Sequence, residues 1–155
     1  MSIKYFVTAL MFGAYILLLV GSGGESSEER ATKVASLKSA TAEQLNTKEL
    51  VAMFKMGSDN TDLQRDAKEK ELKGKVVQWK VEVYEVNADG ESCYKIQTSG
   101  TDTYPGTFIK ACNADDPGVA AMVPGLKTKD VINVKGVING TFMRNFELDP
   151  AIVTK

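Results

Sequence analysis

The apolar positions of this chain change their spacing twice. Residues 5–20 (YFVTALMFGAYILLLV) are almost continuously apolar and stop at Gly21-Ser22-Gly23-Gly24. Between 41 and 74 the apolar side chains recur at helical spacing, with Leu50, Val51, Met53 and Phe54 in one group and Leu63 and Leu72 in a second. Thr41-Ala42-Glu43-Gln44 and Thr61-Asp62-Leu63-Gln64 both have capping-box spacing, in which a threonine hydroxyl and a glutamine side chain satisfy each other's orphan backbone donors. These signals predict a first helix from 42 or 47 to 56, broken by Gly57-Ser58-Asp59-Asn60, and a second over 61–72. Met53 and Met56 read as core fillers rather than thioether metal ligands.

From residue 75 the period becomes two. Val77, Trp79, Val81 and Val83 alternate with Gln78, Lys80, Glu82 and Tyr84, which predicts a long strand with one buried face and Trp79 in its apolar row. Asn87-Ala88-Asp89-Gly90 supplies a turn, 93–98 a second strand, and 107–112 a third beyond a polar loop containing Tyr104-Pro105-Gly106. Setting Cys93 opposite Cys112 fixes the register of strands two and three. Tyr94 then meets Ala111, Ile96 meets Ile109 and Thr98 meets Thr107 on one face, while Lys95 meets Lys110 and Gln97 meets Phe108 on the other. One face is apolar and one mostly polar, as an antiparallel pair with a single buried face requires. Cross-strand cysteines lie within disulfide reach, so Cys93 and Cys112 are expected to be bonded and structural. They lack the Cys-x-x-Cys spacing of a redox-active pair.

A short helical segment at 119–123 follows, then a fourth strand over 131–138, a tight turn at Asn139-Gly140 and a fifth strand over 146–153. Three strands, a short helix and two strands is the element order of the OB-fold. The expected architecture is therefore mainly β, a five-stranded Greek-key barrel over 75–155, preceded by one or two short helices in a lead-in over 41–74.

The apolar run at 5–20 sits behind the short cationic start at 1–4 and ahead of Glu25-Ser26-Ser27-Glu28-Glu29. That is the layout of a secretory signal peptide cleaved near 22–24; the alternative is an uncleaved signal anchor. Both readings leave Lys4 inside and export the domain to the periplasm or the outer face of the inner membrane. Leu19-Val20-Gly21-Ser22 resembles a lipoprotein box with serine in place of the lipid-bearing cysteine, so no lipid anchor is expected. Residues 25–40, rich in charge, Ser and Ala and without aromatics, read as a linker.

The openings of strands one and four and the last strand carry a family resemblance. Leu72-Lys73-Gly74-Lys75-Val76-Val77, the stretch Leu126-Lys127-Thr128-Lys129-Asp130-Val131-Ile132-Asn133-Val134-Lys135-Gly136-Val137-Ile138, and Leu148-Asp149-Pro150-Ala151-Ile152-Val153 resemble the exported bacterial tRNA-anticodon-like OB-fold family across roughly residues 47–153. The resemblance implies the OB-fold. The nucleic acid in the family's name is an analogy of fold, and the export signal and net charge of −1 argue against carrying it over.

Composition narrows the chemistry further. The chain has 155 residues, 19 basic and 20 acidic side chains and no histidine, which removes the commonest general base and metal ligand. No serine has a histidine partner, and Asp115, Asp116 and Asp130 lack the spacing of a calcium loop. An enzyme, a metal site and a cofactor are not expected. OB-folds bind on the face around strands two and three, and the outward row there offers Lys80, Tyr84, Lys95, Gln97, Phe108 and Lys110. Lysines beside aromatics and an amide suit an anionic small molecule, a glycan or a protein surface. The expected function is a non-catalytic, exported binding module of the bacterial envelope. The alternatives are a membrane-tethered interaction protein of a mobile element or envelope system and, more weakly, a single-stranded nucleic-acid binder.

Overall fold

The computed structural model describes residues 24–155; the expected signal segment, apart from Gly24, lies outside the described residues. Helices α1 (Ser27–Ser39), α2 (Thr47–Phe54) and α3 (Asp62–Leu72) precede strands β1 (Val76–Ala88), β2 (Cys93–Ser99) and β3 (Thr107–Cys112). Helix α4 (Gly118–Met122) and a 3-10 turn (Val123–Gly125) lead to β4 (Val131–Phe142) and β5 (Asn145–Thr154). The strands close into a barrel in the order β1-β2-β3-β5-β4, with β3 and β5 parallel and the other pairs antiparallel. This is the OB-fold.

Alternation fills the barrel. Val77, Trp79, Val81 and Val83 of β1 are buried together with Ile96, Ile109, Ile132, Val134, Phe146 and Leu148 from the other four strands. Helices α2 and α3 add Leu50, Phe54 and Leu72, and α4 with its 3-10 turn adds Val119 and Val123. Phe54 stands edge-on to Phe146 at 4.7 Å, and Phe146 edge-on to Trp79 at 5.9 Å. This geometry places the positive ring edge on the negative face and adds to the burial gain. The one polar pair inside the β2–β3 hairpin is self-satisfied: the Thr98 and Thr107 hydroxyls are 2.7 Å apart, and the Thr107 N–H donates to Thr98 Oγ1 at 2.9 Å.

The β2–β3 register is the expected one, Cys93 opposite Cys112 through Gln97 opposite Phe108, and the cysteines are bonded with Cα atoms 4.0 Å apart. The capping box at Thr61 also forms in full, with Gln64 N–H on the Thr61 hydroxyl and Thr61 N–H on the Gln64 side chain.

Elsewhere the structure departs from expectation. The Thr41 capping box is not used: the Glu43 N–H donates to the Val76 carbonyl at 2.8 Å and its carboxylate pairs with Lys75 at 3.0 Å. That extended segment joins the start of β1, and Asn46 caps α2 instead. Asn139-Gly140 is not a turn. Strand β4 runs through it to Phe142, and the reversal falls at Met143-Arg144, both at positive φ (48° and 65°). Helix α3 accounts for this, because a Cβ on residue 140 would lie 3.3 Å from Glu69 Oε1, and Glu69 accepts a hydrogen bond from the Thr141 hydroxyl. The glycine is spent on a close approach of helix to strand. Leu63 (79% exposed) and Met56 (83%) stand in solvent rather than in the core, and the buried residue of the first turns of α3 is Arg65.

Residues 25–40, expected as a linker, carry α1, which docks on the barrel through Val34 and Leu37. The β3–β5 pairing covers only Thr107–Ile109 against Phe146–Leu148. Beyond it, Arg30 of α1 bridges Asp115 after β3, with Nη2–Oδ2 at 2.6 Å, and Asp149 of β5, with Nη1–Oδ1 at 2.9 Å. Burial opposes the Arg30 charge, but hydrogen bonds and attraction from Asp115 and Asp149 outweigh it, holding the guanidinium more firmly charged than usual.

Candidate functional site

The β2–β3 register fixes what the outer face presents. Because side chains alternate, Lys95 and Gln97 of β2 lie beside Lys110 and Phe108 of β3. The Lys95 ammonium sits 4.5 Å from the centre of the Phe108 ring and 5.8 Å from that of Phe142, and the two rings are 5.9 Å apart. Phe142 is 51% exposed although it is a large apolar side chain. The structure therefore brings Lys95, Gln97, Phe108 and Lys110 together and adds Phe142 from the end of β4. A cation over two ring faces is attracted by their negative quadrupoles.

Two expected members lie elsewhere. Lys80 is exposed but opposes Asn133 of β4, seven residues along β1 from Asn87, the partner of Lys95. That is roughly 20 Å at the usual rise of a strand. Tyr84 is the extra residue of a β-bulge between Val83 and Glu85. It is exposed, its carbonyl accepts from the Thr128 hydroxyl at 3.0 Å, and Glu85 takes its place opposite Gln97. A bulge of this kind reverses which residues of the strand face outward.

The face is mixed in charge. Lys110 pairs with Asp89 at 3.7 Å, Glu147 lies opposite Phe108 in the parallel pairing, and Glu85 flanks Gln97. A hollow of about 170 Å³ on this face is lined by Asp89, Lys95, Phe108, Lys110, Asn139 and Glu147 among others, without Gln97 or Phe142. Ligand pockets for small molecules are usually about 300–1,000 Å³ and mostly apolar. This one is smaller, and charged groups line it together with Phe108, Ile109 and Leu148. Among the described residues no group of three or more His, Cys, Asp or Glu is placed to hold a metal ion.

Sequence reasoning missed Phe142, Glu85 and Glu147. Placing the turn at Asn139-Gly140 left Phe142 in a loop, although Thr141-Phe142 carried strand propensity. The bulge was visible as the break from Val81, Val83 to Val86. Glu147 needed the β3–β5 pairing, which no local pattern specifies.

The disulfide closes the end of this face, two residues from Lys95 and Lys110, and occupies both cysteines of the chain. Bonds of this kind persist in oxidising, extracytoplasmic compartments.

No protein-family model and no curated protein matches the chain. Solved structures do. One is a Klebsiella pneumoniae subsp. pneumoniae protein described as a "putative nucleic acid-binding lipoprotein", with a TM-score of 0.50, 14% identity, and coverage of 80% of this chain and 97% of that one. The shared feature is the fold. The OBody AM1L10 bound to hen egg-white lysozyme aligns with a TM-score of 0.41 at 14% identity, over 55% of this chain and 84% of that one. The OBody AM3L15, also bound to hen egg-white lysozyme, gives 0.39 at 15% identity over 55% and 80%.

Proposed function

We propose that this protein is a non-catalytic binding module of the bacterial envelope, exported to the periplasm or the outer face of the inner membrane, of the tRNA-anticodon-like OB-fold type. Its binding face is the outer surface of β2 and β3 with the end of β4, and its partner is a protein. The observation that carries this reading is the Lys95–Phe108–Phe142 cluster, in which an ammonium lies over a half-buried ring and an exposed one on the barrel wall. Protein interfaces favour aromatic anchors surrounded by polar groups of both signs. The shallow, charged hollow supports a broad surface contact over an enclosed small molecule. Glu85, Asp89 and Glu147 beside the two lysines disfavour a polyanion, the ligand class in the Klebsiella protein's description.

The test is Lys95→Glu combined with Lys110→Glu in a protein whose melting is unchanged. Loss of its complex with an envelope protein, followed by size-exclusion chromatography of solubilised envelopes, supports the reading. An unchanged complex overturns it, and steeply salt-dependent binding to a single-stranded oligonucleotide replaces it with nucleic-acid binding.

A further inference from the structure

A second cavity, of about 400 Å³, opens at the end of the barrel beneath the β4–β5 turn. We infer that it is a binding site for the carboxylate-bearing apolar end of a ligand, such as the C-terminal residue of a peptide or a short fatty acid. This inference does not depend on the reading of the β2–β3 face.

The cavity combines two kinds of surface. Val51 and Phe54 of α2 supply an apolar lining, and one wall is the backbone of Gly100 and Gly106 from the β2–β3 loop. Residue 106 has no room for a side chain, because a Cβ there would collide with the Asn145 amide, so peptide groups line the wall. At the rim stand Met56 (83% exposed) and Met143 (75% exposed). Two long thioether side chains held in water contribute nothing to the core, yet methionine adapts readily to the shape of an apolar guest.

The rim is also positively charged. Lys55 and Arg144 border the cavity with Asp102 as the opposing carboxylate, in a chain whose net charge is −1. Arg144 Nη1 donates to the Lys55 carbonyl at 2.9 Å, which ties the β4–β5 turn to the end of α2 and sets the mouth of the cavity in place. Asp62 lies close by, but its carboxylate is engaged by Arg65; that hydrogen bond chiefly, with a smaller attraction from Arg144, holds it below its usual range. The Arg144 charge therefore faces the cavity mouth with no ion-pair partner among the described residues. The volume falls within the usual range of ligand pockets and suits one leucine- or phenylalanine-sized group with a carboxylate at the mouth. A guanidinium and an ammonium supply charge-assisted hydrogen bonds to that carboxylate.

The experiment titrates the full chain, disulfide intact, with acetyl-Gly-Gly-Phe as the free acid, the same peptide as its C-terminal amide, and octanoate. Binding is read by amide chemical shifts and calorimetry. The free acid is expected to shift the amides of residues 51–57, 100–106 and 143–145, and the amide form to bind about tenfold more weakly. Lys55→Gln with Arg144→Gln should weaken the free acid by at least as much, whereas Lys95→Glu on the β2–β3 face should not. Octanoate binding at the same amides with no peptide binding assigns a lipid source; peptide binding alone assigns a protein C-terminus. The inference is overturned if neither probe shifts the cavity amides at millimolar concentration, if the peptide binds and does so equally as acid and amide, or if the charge-removed variant binds unchanged.

Discussion

Replacing Arg30 by methionine separates a docked α1 from a loosely attached spacer. The substitution keeps the aliphatic stem and removes the charge. Asp115, whose side chain is 2% exposed, then loses the guanidinium that meets it at 2.6 Å, and Asp149 loses a partner at 2.9 Å. Removing one partner from a fully buried pair costs about 3–5 kcal/mol, because the other charge is stranded. Arg30 keeps 16% of its side-chain exposure and Asp149 is partly open to water, which lowers the expected cost to about 2–3 kcal/mol. For a chain of this size that corresponds to a fall in Tm of roughly 4–12 °C. Urea melts followed by the single, buried Trp79 report the barrel, and hydrogen exchange at Val34 and Leu37 reports α1. Adding Asp115→Asn should recover part of the loss, since the amide leaves no stranded charge. A Tm within 1 °C of the parent, with unchanged exchange at Val34 and Leu37, would refute the role of Arg30 in holding α1 to the barrel.

The disulfide joins residues 19 apart, and chain-entropy arguments for a loop of that length give about 3 kcal/mol. Denaturant melts of Cys93→Ser with Cys112→Ser should show that loss, and intact mass should show both thiols blocked until reduction. Gly140→Ala should destabilise by about 1 kcal/mol, because the new Cβ crowds Glu69 and strains its bond to Thr141; a matching melt checks it. Asp130 has its carboxyl held below the usual value of 3.8, first by the hydrogen bond from the Lys127 N–H and then by Lys155. A folded pKa below the unfolded one contributes stability above the unfolded value, and this is lost as pH falls through the folded value. Lys155→Gln should therefore move the Asp130 midpoint upward in a carboxyl-carbon NMR titration.

The parts of the fold legible in the sequence were those dictated by local alternation and reciprocal pairing. Strands β2 and β3 could be aligned because only one register sends Ile96 and Ile109 inward while bringing Cys93 to Cys112. Trp79 shared its row with three valines, and the Thr61–Gln64 box needed only its own four residues. What escaped was set by tertiary contact. Asn139-Gly140 has the composition of a tight turn, but α3 lies against Gly140 and the reversal moves to Met143-Arg144. Helix α1 has no broad apolar stripe, and two buried side chains with one arginine hold it. Four of the six candidate site residues followed from the same logic. Lys95, Gln97, Phe108 and Lys110 were placed by register, whereas the bulge at Tyr84 and the distance of Lys80 along β1 depended on how the barrel closes.

The measurement that most directly tests the proposed binding face is site-specific photo-crosslinking in the envelope of the native host. A photoreactive residue is placed at Gln97, inside the cluster, or at Lys80, on the same strand system but five residues along β1 from Glu85, the partner of Gln97, or roughly 15 Å away. The account predicts a discrete protein adduct from Gln97, lost when Phe142→Ser and Lys95→Glu are introduced, and no such adduct from Lys80. Equal adducts from both positions, or a Gln97 adduct indifferent to Phe142 and Lys95, would contradict it.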